Sequence, residues 1–240
     1  MYSDFSSIYD TLIDVDYTKF VSYYKEIFAR FEKQPELILD LGCGTGTLTS
    51  LMQKEGYDMQ GADMSYDMLM KAREKCGDIL FLNQSMTEFE LYGTVDVIYS
   101  SLDCVNYLLT DDELLKTFSL VNNYLNPKGL YIFDISSRYK LENLLGNNTF
   151  VYDDGNIFYA WENCFEDNIL DLHISFFEKQ GSLYRRIDEE QSQRAYEPYE
   201  ITALAEHAGL RTLGVYAPFS FEEPKDTDER IFFVMSEDGK

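Results

Sequence analysis

Residues 37–47 read LILDLGCGTGT, an apolar run that carries Asp40 and breaks at once into Gly42, Gly44 and Gly46. Glycines this dense lose much backbone entropy on folding, so a chain keeps them where the main chain turns sharply or something must approach it closely. A buried strand, a glycine turn and a helix form the opening unit of a doubly wound parallel sheet, and the downstream sequence keeps that rhythm. TLTSLMQKEG reads as the helix, with Leu48, Leu51 and Met52 inward and Gly56 as its stop. MQGADM is the next strand, and SYDMLMKAREKCG is a helix with Ser65 in the N-cap position. ILFLNQS and VDVIYSS are two more strands. The Thr110…Glu113 spacing then predicts a capping box at the head of a helix that leads into the strand GLYIFDI. Upstream, the first 33 residues read as helical, with Phe20, Tyr24, Ile27, Phe28 and Phe31 on one apolar stripe.

The alternation stops near residue 137. From 149 to 196 the segments IFYAWENCF, ILDLHISFFEK and SLYRRIDEE follow period 2 and are joined by EDN and KQGS, a pattern of antiparallel hairpins. Helical patterning resumes at EPYEITALAEHAGL, with Pro198 near N1 and Gly209 at the stop, and RTLGVYA and RIFFVMSE close the chain as strands. The expected organisation is an α/β core over 1–137 and 197–240, with an antiparallel β insert over 138–196.

Composition narrows the partners. Twenty basic residues against 43 acidic ones give a net charge of −23, and the tight basic pair Arg185–Arg186 runs directly into IDEE. A polyanion is repelled by such a chain, which disfavours nucleic acid as a partner. No apolar run reaches the roughly 18–20 residues that span a bilayer, and the N-terminus lacks a secretory pattern, so a cytoplasmic protein away from membranes is expected. Cys43, Cys76, Cys104 and Cys164 are scattered, without the spacing of a zinc site, and read as reduced thiols with no metal.

Three ligand classes compete for the glycine turn, whose free backbone N–H groups are expected to point outward at the helix N-terminus. A Walker phosphate loop needs Lys–Ser/Thr after the last glycine, but Thr47–Leu48 follow Gly46. A dinucleotide fingerprint counted from Gly42 and Gly44 meets Thr47 at its third site, where Gly or Ala is needed. LDLGCGTG, with Asp40 two residues before the first glycine and no Lys or Arg in the turn, instead resembles motif I of the class I S-adenosylmethionine-dependent methyltransferases. Asp63, which closes the next strand 19 residues after Gly44, is placed to accept ribose hydroxyls.

The resemblance implies a Rossmann-like seven-stranded sheet whose last strand is antiparallel, with the insert roofing the substrate pocket. It also implies adenosylmethionine as co-substrate, with contacts from Tyr9, Tyr17, Asp40, Gly42, Cys43, Gly44, Gly46, Asp63, Met64, Ser85, Met86 and Leu102. The tyrosines belong to the leading helix, and LDCVNYLL (102–109) matches the segment that lines the methyl-transfer site. One departure stands out: Gln84-Ser85-Met86 carries Ser where many relatives carry an Asp for the adenine amino group.

The expected activity is methyl transfer to N or O of a small acceptor, neutral or cationic, with Asp103 and Tyr107 as acceptor-side candidates and Asn106 nearby. Positioning and desolvation supply much of such a rate. The rivals are an RNA or protein methyltransferase, a non-catalytic adenosylmethionine-binding module and a nicotinamide-dependent oxidoreductase. His173, beside Asp171 and Ser175 on the polar face of its strand, reads as a surface residue. Tyr159, Trp161 and Phe165 read as core, with Trp161 an outside candidate for the pocket wall.

Overall fold

The computed structural model describes residues 15–239, so Tyr9 lies outside the described residues. Helix α1 (Tyr17–Arg30) starts at Asp16, whose side chain accepts from the Thr18 N–H, and it buries Phe20, Tyr24, Ile27 and Phe28, joined by Tyr23. The helical reading ran on to residue 33, but Glu32 turns left-handed at φ 52° and ends it. Strand β1 (Leu37–Leu41), α2 (Thr47–Lys54), β2 (Asp58–Asp63), α3 (Tyr66–Cys76), β3 (Leu80–Asn83) and β4 (Val95–Ser100) follow as expected. A 3₁₀ turn (Cys104–Tyr107) precedes α4 (Asp111–Tyr124) and β5 (Leu125–Ser136). The capping signals hold in detail: Ser65 accepts from Met68 N, and Thr110 and Glu113 form a reciprocal box. After the second sheet come α5 (Pro198–His207), β10 (Leu210–Tyr216) and β11 (Arg230–Glu237).

These strands form one seven-stranded sheet in the order β10-β11-β5-β4-β1-β2-β3. All neighbours from β5 to β3 are parallel, and the last strand, β11, runs antiparallel to both β5 and β10. Period 2 divides the core. Ile38, Leu130, Ile132, Phe232 and Val234 face the cluster under α1, α2 and α3, while Leu39, Leu41, Tyr131, Phe133 and Phe233 face the cluster under α4 and α5. A strand buried on both faces reads as a continuous apolar run, which is why β1, β5 and β11 were legible in the sequence.

The second sheet is antiparallel, β6 (Thr149–Asp153), β7 (Ile157–Glu166), β8 (Ile169–Gln180) and β9 (Leu183–Arg194) in sequential order. The β7–β8 hairpin turns through Asp167 and Asn168, both at positive φ, as the tight turn between right-twisted strands requires. Three features were not foreseen: β6, the extension of β9 to Arg194, and a single-turn π-helix (Lys140–Leu145) after β5. Tyr196 is fully buried in the α4/α5 cluster, so the chain rejoins the main core at that residue. No helix among the described residues is long and apolar enough to cross a membrane.

Candidate active site

The C-terminal ends of β1, β2, β4 and β5 open on one cavity of about 570 Å³, roofed by the inner face of the second sheet. In open parallel sheets this rim is where ligands bind. Its floor is the glycine turn. Gly42, Gly44 and Gly46 all take positive φ (90°, 52° and 72°), which side chains rarely adopt. A Cβ on Gly42 would lie 2.7 Å from Cys104 Sγ, and one on Gly46 would lie 2.9 Å from Ala72 Cβ. Nothing stands within 4 Å of the corresponding point on Gly44, which lines the cavity as bare backbone.

The expectation of outward-pointing N–H groups is corrected by the hydrogen bonds for Gly42, Cys43, Gly44 and Gly46. Gly42 N and Cys43 N both donate to Ala62 O, Gly46 N donates to Cys43 O, and Gly44 N donates to Asp63 Oδ2 at 2.8 Å. With these four donors spent inside the fold, the glycine turn itself offers a surface to lie against, while α2 begins at Thr47 with no side-chain cap on its first N–H groups. A cation does reach the turn from α3, since Lys75 Nζ donates to Thr45 Oγ1 and Thr47 Oγ1, but Lys75 does not line the cavity.

Two carboxylates stand at the turn. Asp63 accepts from Gly44 N on one oxygen and from Ser65 N on the other, both at 2.8 Å. Burial pushes its carboxyl up while those two N–H groups pull it back. Each oxygen keeps a second lone pair, which leaves capacity for two hydroxyls. Asp40 is buried behind the turn, where its Oδ2 accepts from Thr49 Oγ1 at 2.6 Å and Tyr99 OH at 3.1 Å, so it braces the turn through α2 and β4.

Burial pushes Asp40 up to about 7, against the pull of the Thr49 and Tyr99 hydrogen bonds, and Asp63 adds repulsion. The folded chain then holds this proton more tightly than the unfolded chain between roughly pH 4 and pH 7. The stability it contributes is full below that window and is lost as the pH rises through the folded value. The unfolding midpoint of the ligand-free protein is expected to fall between about pH 5 and pH 8. Asp40→Asn, which keeps the shape without ionising, should flatten that fall. Scanning calorimetry of both proteins across the range checks it.

The other anticipated cofactor-side residues spread along the same cavity. Tyr17, Cys43, Met64, Ser85, Met86 and Leu102 line it. Met64 is 70% exposed, and Ser85 Oγ is engaged with the N–H and hydroxyl of Thr87. Burial, with Asp40 and Asp63 adding repulsion, raises the Cys43 thiol well above its ordinary value and leaves it a poor nucleophile.

After β4, Leu102 and Asp103 take left-handed φ of 61° and 54° in succession, a strained conformation for non-glycine residues. A residue missed in the sequence holds them there. Asp134, fully buried on β5, accepts from Leu102 N at 2.9 Å and Asp103 N at 3.0 Å, and it pairs with Arg230 from β11. Burial raises the Asp134 carboxyl, Arg230 lowers it and Asp103 raises it further. The only available signal was an Asp inside the apolar run LYIFDIS, which a buried strand tolerates only with partners.

The Asp103 side chain makes no cap to the 3₁₀ turn. Its Oδ2 accepts from Gln193 Nε2 at 2.8 Å and its Oδ1 lies 3.5 Å from Arg230 Nη2, so it joins the core to the second sheet. Tyr107 OH donates to Gln191 Oε1 at 2.8 Å. Asn106 is buried and bonded to Ser136 N, Ser136 O and Arg194 O, a structural fastening with no face on the cavity. His173 is 55% exposed at its side chain, beside Glu190. Tyr159 and Trp161 line the cavity, whereas Phe165 does not, although it packs against the same apolar cluster as Trp161, so this aromatic series is only partly core.

A doubly wound sheet with a reversed last strand, and bare glycine backbone beside a buried carboxylate at the strand ends, fit the methyltransferase class that the sequence resembles. Comparison with known proteins agrees. Residues 38–129 match the family described as "Methyltransferase domain". The chain is 33% identical over 239 residues to the putative methyltransferase YqeM of Bacillus subtilis, covering 97% of this chain and 96% of the relative. A crystal structure of an S-adenosylmethionine-dependent methyltransferase from Clostridium acetobutylicum superposes with a TM-score of 0.91 at 36% identity, covering 99% of both chains. A dTDP-3-amino-3,4,6-trideoxy-alpha-D-glucopyranose N,N-dimethyltransferase of Streptomyces venezuelae is 28% identical over 134 residues, 55% of this chain and 56% of that protein. The chain belongs to the class I S-adenosylmethionine-dependent methyltransferases.

Proposed function

We propose that the methyl acceptor is a small molecule with an amine or hydroxyl as its reacting group, held between the Asp103–Tyr107 turn and the second sheet. The observation that carries this reading is the roof. The face of β7, β8 and β9 bearing Tyr159, Trp161, Leu172, Ile174, Phe176, Gln191 and Gln193 closes over the strand ends and leaves a chamber of about 570 Å³. Cavities of a few hundred to about a thousand Å³ suit small ligands. The Streptomyces venezuelae relative, whose name places its acceptor among amino sugars, supports an amine.

Adenosylmethionine supplies a methyl carbon bonded to a sulfonium, which the acceptor lone pair displaces in line, so that the C–S bond electrons return to sulfur. In this reading Asp63 accepts the ribose hydroxyls and Gly44 lets the co-substrate lie against the main chain. The second sheet excludes water and orients the acceptor, where alignment supplies much of the rate. Asp103 takes the acceptor's proton, from an ammonium before transfer so that the nitrogen lone pair is free, or from a hydroxyl as the methyl arrives.

Methyl-labelled adenosylmethionine offered with separate small-molecule, RNA and protein fractions of a cell extract tests the acceptor class. Label is expected in the small-molecule fraction, and label confined to RNA or protein overturns the reading. On the cofactor side, Asp63→Ala should weaken adenosylhomocysteine by about 1.5–3 kcal/mol, the range for hydrogen bonds to a charged group. Calorimetric titration reads this directly, and unchanged affinity would remove Asp63 from the ribose.

A further inference from the structure

We infer that the acceptor carries an oxyanion, a carboxylate or a phosphoryl group, which Lys140 binds at the β5 side of the cavity. The inference rests on the small-acceptor reading. Lys140 opens the π-helical turn after β5 and lines the cavity, and its Nζ donates to Ser136 Oγ at 3.1 Å. No carboxylate among the described residues pairs with it. Arg230, the other cation that lines the cavity, faces Asp134 and Asp103, so Lys140 is the cavity cation left to a hydroxyl alone among the described residues. An ammonium left with a hydroxyl in a partly desolvated wall is stabilised by any anion that enters.

A second, independent donor points the same way. Trp161 lines the same cavity from β7, and its Nε1 is buried without an acceptor. A buried N–H in a native structure ordinarily has a partner, so this one is provided for by something that enters the site. The π-helical turn and β7 are packed together, because Leu145 and Trp161 share one apolar cluster with Leu141. Lys140 supplies charge, Trp161 an N–H and the cluster an apolar wall, a set that fits an oxygen-bearing anion on a small carbon frame.

The cofactor's own carboxylate is the competing occupant, and sheet order argues against it. Ser136 ends β5, and β4 separates β5 from β1. At about 4.8 Å per strand, Lys140 emerges roughly 10 Å along the rim from the glycine turn, on the side away from Asp63.

Trp161 is the chain's single tryptophan, so its emission reports occupancy of this wall. Protein saturated with adenosylhomocysteine would be titrated with ethanolamine, phosphoethanolamine and β-alanine, which pair one amine with no anion, a phosphoryl group and a carboxylate. One of the two anionic probes should bind at least tenfold more tightly than ethanolamine, which identifies the oxyanion. Lys140→Met should erase that advantage, Lys140→Arg should restore it, and adenosylhomocysteine affinity should stay unchanged. In parallel, the labelled small-molecule product of the parent protein should be retained on an anion exchanger at about pH 11, where an amine is neutral and the oxyanion keeps its charge. Equal or absent responses to the three probes, an advantage that survives Lys140→Met, or an unretained product overturns the inference while small-molecule labelling still stands. Loss of adenosylhomocysteine affinity in Lys140→Met overturns it by placing the ammonium on the cofactor. Label appearing only in RNA or protein instead overturns the small-acceptor reading itself.

Discussion

Asp134→Ala is expected to destabilise the fold by about 3–5 kcal/mol, the range for removing one partner of a buried ion pair. Three groups lose their acceptor at once: the N–H of Leu102, the N–H of Asp103 and the Arg230 guanidinium. Arg230 would retain only the looser approach to Asp103 at 3.5 Å. For a chain of this size each kcal/mol shifts the unfolding temperature by roughly 2–4 °C, so a fall on the order of 10 °C should follow. Urea unfolding followed by far-UV circular dichroism measures the free energy directly. The two left-handed residues add a signature that a generic core lesion lacks. Without the carboxylate to hold them, Leu102 and Asp103 can relax to negative φ, and the acceptor-side turn moves. Asp134→Asn keeps one acceptor oxygen and the shape while losing the charge, and it should fall between parent and alanine variant. An alanine variant within about 1 kcal/mol of the parent would mean that the turn is held by something else.

The parts legible in the sequence were those encoded by short-range rules. β1, β5 and β11 announced themselves as apolar runs because both faces of each are buried, and Ser65, Thr110 and Pro198 marked helix starts because their effect is local. The glycine turn was legible as a site because φ above zero at Gly42, Gly44 and Gly46 leaves little choice of residue. What failed was long-range. That Ala62 O would absorb two of the turn's N–H groups depends on how β2 lies beside β1, which spacing does not state. The pairing of Asp134 with Arg230 joins residues 96 positions apart, and no local pattern links them. Strand β6 escaped because Val151 and Tyr152 on this edge strand are exposed, so Thr149–Asp153 has no buried face to impose alternation. Asn106 looked chemical in LDCVNYLL and proved to be a buried amide with three backbone partners.

Asp103→Asn is expected to lower kcat/KM by about 10²-fold or more, the scale for losing an acid–base group, with adenosylmethionine affinity unchanged. The substitution separates the brace that the structure shows from the acceptor-side role proposed for the same side chain. As a brace, Asp103 receives Gln193 Nε2 at 2.8 Å and faces Arg230. An asparagine oxygen can still accept from Gln193, and Arg230 keeps Asp134, so the brace largely survives the change. As an acceptor-side group, Asp103 uses its charge. A carboxylate has about four lone-pair sites, and the two protein contacts leave capacity toward the cavity that it lines. Asparagine cannot take a proton at neutral pH and does not offset an ammonium, so this role is lost entirely. Near-normal turnover in Asp103→Asn would therefore confine Asp103 to bracing and move the acceptor-side chemistry to Tyr107, whose hydroxyl lies on the same cavity and touches Gln191 of the roof. A fall confined to kcat, with acceptor KM unchanged, would mark proton removal, because an ion pair to the ground-state ammonium would show in KM. An ammonium has no lone pair to attack with, so an amine acceptor, like a hydroxyl, must give up a proton before or as the methyl arrives, and Asp103 is the group proposed to take it.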